Sequence, residues 1–121
     1  MDIFGYTDYR TFLLDHYQGR KAQSRTFSYG VWARQLGLKS PSTLMMILSG
    51  KRNPSSSLTQ ALSKQLNLDP VQSEYFEDLV RLKRIHTDSS LSVLIREKLA
   101  RANPHKNIQF LDAEVFAAIS N

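Results

Sequence analysis

Two short polar and cationic groups bracket an apolar run in the middle of the chain. Lys39 and Ser40 precede "PSTLMMILS", and Lys51, Arg52 and Asn53 follow Gly50 directly. Ammonium and guanidinium groups, with hydroxyl and amide donors beside them, are equipment for holding phosphate oxygens. The surrounding composition favours the same chemistry. Between Asp15 and Asp69 there is no Asp or Glu, while Arg20, Lys21, Arg25, Arg34, Lys39, Lys51, Arg52 and Lys64 supply eight cations. The net charge of +5 is therefore weighted to one half of the chain, the footprint expected of a surface for a polyanion. The competing expectation is a solvated basic face whose partners are acids of the C-terminal half, such as Glu74, Glu77 and Asp78.

Other chemistry finds little support. Cysteine is absent, which removes disulfides, thiolate zinc sites and thiol nucleophiles and agrees with a reducing compartment. His16, His86 and His105 are isolated and share no ligand spacing with an acid, so no metal is expected. "SGKR" is not a P-loop: no Ser or Thr follows the lysine, and Met45 stands where the first glycine belongs. No nucleophile elbow, carboxylate pair or Ser-His-Asp spacing can be argued. The expectation is a protein that is not an enzyme and needs no cofactor. No apolar run approaches the roughly 20 residues of a membrane span, and "MDIFGYTDYR" lacks the pattern of a signal peptide, which points to a cytoplasmic location.

The elements that must position these side chains are helical. Tyr9, Phe12, Leu13, His16 and Tyr17 form one stripe of a first helix, capped at Thr7 and ending near Gly19. Ser28 caps a short second helix in which Val31, Trp32 and Leu36 point inward until Gly37 stops it. Ser40 followed by Pro41 predicts a third helix from about Pro41 to Ser49, with Gly50 as a left-handed C-cap. A fourth buries Leu58, Ala61, Leu62, Gln65 and Leu66 and ends at Asn67. Asp69, Pro70 and Gln72 predict a capping box at the start of a fifth, whose stripe is Tyr75, Phe76, Leu79, Val80 and Lys83. After the connector "IHTDSS", a sixth is expected to bury Leu91, Leu94, Ile95, Lys98, Leu99 and Ala102. The tail "IQFLDAEVFAAISN" is apolar for a terminus, and Phe110, Leu111, Val115, Phe116 and Ile119 need cover.

Two short helices joined by "GLKS" make a helix-turn-helix unit. "VWARQLGLKSPSTLMMILSGKRNPSSSLTQALSKQLNLD" resembles the phage-repressor and Cro type of helix-turn-helix domain. Ala33, Leu36, Gly37, Leu38, Ser42, Thr43, Leu44, Ile47, Gly50, Lys51, Arg52, Asn53, Pro54, Ala61 and Leu66 fall on its pattern. Over nearly the whole chain, "IFGYTDYRTFLLDHY", "FSYGVWARQLGLKSPSTL", "SGKRN" and "QSEYFEDLV" are similar to a bacterial family of regulators. That family joins such a domain to a C-terminal domain of unknown function, so the resemblance implies that this chain is an N-terminal fragment.

The expected fold is all-α: a five-helix repressor-like domain over residues 1–85, and a helical extension over 86–121 that packs on it, dimerises or leads into a second domain. The implied function is transcription regulation by binding double-stranded DNA, with the third helix in the major groove. Arg34, Lys39, Ser40, Lys51, Arg52 and Asn53 are then the phosphate contacts, and Ser42, Thr43, Met45 and Met46 face the bases. The chain departs from the repressor pattern in two ways. Twelve residues separate Gly37 and Gly50, one more than usual, and no Arg, Lys, Asn or Gln lies between Pro41 and Ser49 to make bidentate base contacts. At least one of Met45 and Met46 is also expected in the core. The rival expectation is a protein-interaction module that kept the fold and no longer reads DNA, because a Met-rich face suits an adaptable protein groove. A homodimer, or a protein partner held through the apolar C-terminal segment, is expected under either.

Overall fold

In the computed structural model, which describes residues 2–85 and 89–103, a short 3-10 turn at Ile3–Gly5 is followed by six α-helices, and no strand occurs among the described residues. They are α1 Tyr9–Gln23, α2 Tyr29–Gln35, α3 Ser42–Leu48, α4 Ser56–Gln65, α5 Pro70–Arg84 and α6 Ser90–Ala102. The chain is thus all-helical over this span, and no described helix is long and apolar enough to cross a membrane. His86, His105 and the apolar tail lie outside the described residues.

Side-chain caps set most of the starts. Ser28, Ser55 and Ser89 each accept from a backbone N–H three residues on, and Asp69 with Gln72 forms the expected capping box. α1 starts one residue later than expected, because Asp8 rather than Thr7 accepts from the Arg10 N–H. It also runs past Gly19 to Gln23. Its last turn is anchored: the Arg20 guanidinium lies 4.8 Å from the Phe27 ring centroid, and Lys21 Nζ donates to the Phe27 carbonyl at 2.9 Å. A single glycine in a helix costs only about 1 kcal/mol, which such contacts outweigh.

The ends of α2, α3 and α4 share one device. Leu38 N–H reaches the Ala33 carbonyl, Lys51 N–H that of Met46, and Leu68 N–H that of Ser63, each around a residue of positive φ. Those residues are Gly37 at 80°, Gly50 at 84° and Asn67 at 56°. These are Schellman closures, which satisfy orphan carbonyls and turn the chain sharply.

The core forms where these turns fold the helices back. Trp32 of α2 is fully buried, with His16, Phe27 and Tyr17 rings at 5.3, 6.1 and 6.2 Å. Its Nε1 donates to Gln65 Oε1 at 2.9 Å, and Gln65 Nε2 donates to Gln35 Oε1 at 3.0 Å, so α2 and α4 are joined by a polar relay as well as by packing. Tyr75 of α5 donates to the Tyr6 carbonyl at 2.6 Å and stacks edge-on with Phe4, which fastens the N-terminal turn.

α6 packs along α5 with part of the expected stripe: Ile95 and Leu99 are buried, whereas Leu91, Leu94, Lys98 and Ala102 are exposed. Ser92 and Arg96 complete its buried side. Ion pairs close the edge of this contact: Lys98 of α6 meets Glu74 at 2.6 Å and Asp78 at 3.0 Å, and Asp78 is buried. Arg96 is accommodated inside through a hydrogen bond to Ser92 Oγ. Leu91 and Leu94, on the Lys98 side of the helix, face solvent with it.

Candidate nucleic-acid interface

α2 and α3 are joined by a turn that carries Lys39 and Ser40, both exposed. The serine does not cap α3 as expected. Pro41 occupies the cap position without a side-chain bond, and Ser40 Oγ accepts a long 3.4 Å bond from Ser42 N–H. The helix therefore begins and ends a residue inside the expected span. Its inward positions are Leu44 and Ile47, both fully buried, with Thr43 and Leu48 half-buried.

Ser42, Met45 and Met46 form the outward face, at i, i+3 and i+4, and Ser49 continues it. Met45 is 50 % and Met46 43 % exposed, so neither is in the core, contrary to the expectation for at least one of them. The reason is geometric. A seven-residue helix has about two turns, and Leu44 and Ile47 already fill the stripe that faces α1 and α2. Beside Met45, residues Leu14, Tyr29, Leu48 and Ser49 line a shallow groove of about 210 Å³.

Past Gly50, Lys51 and Arg52 are exposed and Asn53 is half-buried. The Asn53 carbonyl oxygen accepts from the Tyr9 hydroxyl at 2.6 Å. That bond fixes the orientation of the amide, leaving its NH₂ as the group for an outside acceptor. Burial raises the Tyr9 phenol above its ordinary value, against the lowering influence of Arg10 and Arg84, so it stays a neutral donor. Arg34, exposed in the last turn of α2, completes the expected set.

Of the acids expected to neutralise this face, Glu74 and Asp78 are engaged elsewhere. Both pair with Lys98, and Asp78 also with Arg81. Among the described residues none of the eight cations between Asp15 and Asp69 forms an ion pair. Their charge is left to solvent or to a ligand.

Sequence reasoning missed Arg10 as a neighbour of this turn. Its guanidinium lies so close to Gly50 that a Cβ there would fall 2.0 Å from Nη1. Forty positions separate the two residues, and no local pattern could have joined them. No cluster of His, Cys, Asp or Glu able to hold a metal occurs among the described residues. Comparison with protein-family models, with curated proteins and with solved structures finds no match.

Proposed function

We propose that this chain is a DNA-binding transcription regulator of the helix-turn-helix type, with α1–α5 arranged as in a phage repressor and α3 laid in the major groove of double-stranded DNA. The observation that carries the proposal is the joint exposure of the outer face of α3 and of unpaired cations at both its ends, Lys39 on one side and Lys51 with Arg52 on the other. Lysine and arginine there meet phosphates, with Arg34, Ser40 and the Asn53 amide as further donors, and position the helix without specifying sequence. Ser42 and the half-buried Thr43 offer hydroxyls, and Met45 and Met46 offer apolar contact to thymine methyl groups. Direct readout through these groups is sparse, so DNA shape or a second subunit must supply the rest. A cytoplasmic bacterial homodimer on two half-sites about one helical turn apart is the assembly that fits. The test is an anisotropy titration with generic duplex DNA at low and moderate salt. Binding that falls steeply with salt supports the proposal, and no binding at about 50 mM salt sinks it.

One observation favours a second reading. Met45 beside the groove lined by Leu14, Tyr29, Leu48 and Ser49 is also a docking surface for an apolar side chain of a protein partner. Replacing Met45 and Met46 by serine separates the two. Salt-dependent duplex binding is largely kept if phosphates dominate, whereas a protein groove would lose its contact.

A further inference from the structure

Arg10 belongs to α1 in sequence and to the turn after α3 in space. A Cβ on residue 50 would lie 2.0 Å from Arg10 Nη1 and 3.2 Å from its Cζ, so the guanidinium rests against the bare backbone of Gly50, next to Lys51 and Arg52. On its other side stands Asp8, with Oδ2 at 3.5 Å from Arg10 Nη2 and 3.4 Å from Lys83 Nζ. That carboxylate does two jobs. Its Oδ1 caps α1 by accepting from the Arg10 backbone N–H at 2.9 Å, and its charge is the counter-ion of two cations from different helices. The two jobs are separable, because an amide caps as well as a carboxylate and carries no charge.

We propose that Arg10 is a further phosphate contact beside Lys51, Arg52 and Asn53, and that Asp8 is a built-in competitor that holds Arg10 and Lys83 while no polyanion is bound. The proposal rests on the DNA-binding reading above and extends it. The arginine and aspartate side chains are 32 % and 28 % exposed, so the pair is partly hydrated and can be exchanged without burying a bare charge. A backbone phosphate offers the guanidinium an equivalent pair of oxygen acceptors with the same single charge, and the neighbouring phosphates of the strand add to the attraction. When Arg10 turns to phosphate, Asp8 keeps Lys83, and no charge is stranded. The polyanion surface then runs from the end of α3 over the first turn of α1 toward the last turn of α5, where Arg84 is exposed and close enough for its charge to act on Tyr9.

The experiment is a salt series of duplex-DNA titrations with the full chain and the variants Asp8→Asn, Arg10→Ala, the two combined, and Glu97→Gln as an equal change of net charge on exposed α6. Asp8→Asn is expected to bind more tightly, a gain that misfolding cannot produce. Arg10→Ala is expected to bind more weakly and to flatten the log–log salt slope by about one. That is about a 3.5-fold smaller loss of affinity between 50 and 200 mM salt. In the Arg10→Ala background most of the Asp8→Asn gain disappears. The proposal is overturned if Asp8→Asn gains no more than Glu97→Gln, or if Arg10→Ala leaves the slope unchanged while replacing Lys51 and Arg52 flattens it. The latter outcome keeps the DNA reading and removes Arg10 from it. Absence of duplex binding by the unaltered chain instead overturns the reading on which the proposal stands.

Discussion

Tyr9 donates its phenolic hydrogen to Asn53 Oδ1 over 2.6 Å, so a fully buried residue of the first helix holds the turn that follows the third. The bond spans 44 positions and makes the cationic turn part of the folded core rather than a free loop. Tyr9→Phe keeps the ring and removes the donor. The expected cost is about 1–2 kcal/mol in a urea melt, since a partly buried amide carbonyl loses its partner. DNA affinity should fall further than Lys51 and Arg52 alone would require, because the turn loses its anchor. A variant as stable as the parent would show that this bond does not fasten the turn.

Gly50 stands at φ +84° with Arg10 against it. Gly50→Ala places a side chain in the left-handed region and displaces the guanidinium. A loss of about 1–2 kcal/mol is expected. Asn67, at φ 56°, ends α4 in the same way with a residue that tolerates that conformation. Asn67→Ala should therefore cost less than Gly50→Ala, and Asn67→Gly should be close to neutral. Thermal denaturation of the three variants ranks them directly.

His16 is half-buried against Trp32, and its Nε2 has no hydrogen-bond partner among the described residues. Burial, helped by the charge of Arg20, lowers its pKa from the ordinary 6.5. The folded state therefore resists a proton that the unfolded chain accepts. Its contribution to stability is complete above pH 6.5 and is lost as the pH falls through the lowered folded value. Asp8 acts in the same direction at lower pH. Burial would raise its carboxyl, but the Arg10 backbone N–H, Lys83 and the Arg10 side chain together hold it below the ordinary value. Denaturation midpoints measured from pH 7.5 down to pH 5 should decline, and His16→Phe should flatten that decline.

Lys98 ties the edge of α6 to α5, through Glu74 and the buried Asp78. Lys98→Met removes the charge and leaves Asp78 to Arg81 alone. A loss of about 1 kcal/mol is expected, because the lysine is itself half-exposed and its ion pairs are screened. Faster amide exchange confined to α6 would locate the effect. Unchanged exchange in α6 would leave its docking to the buried Ile95 and Leu99 alone.

The parts of the fold legible in the sequence are those written locally. Ser28, Asp69 with Gln72, Gly37, Gly50 and Asn67 mark helix ends by capping or by positive φ, and each is found where its chemistry requires. What was not legible depends on distant partners. The burial of Ser92 and Arg96 in place of Leu91 and Leu94 depends on how α6 docks, whereas the apolar periodicity of "SLSVLIREKLARA" points to the other side of Ile95 and Leu99. The exposure of both methionines follows from how little of a two-turn helix can face inward. At the candidate site the positions of Lys39, Lys51 and Arg52 were readable from type and spacing. Arg10, Tyr9 and Asp8 were not, because the fold alone brings α1 to the turn after Gly50.

The most direct test of the DNA-binding account compares the chain with its Lys51→Ala, Arg52→Ala double variant on one generic duplex across a range of salt. The parent should bind at about 50 mM salt with affinity falling log-linearly as salt rises, and the double variant should bind more weakly with a slope about two units shallower. Equal affinities and equal slopes would take both cations out of the interface and contradict the account.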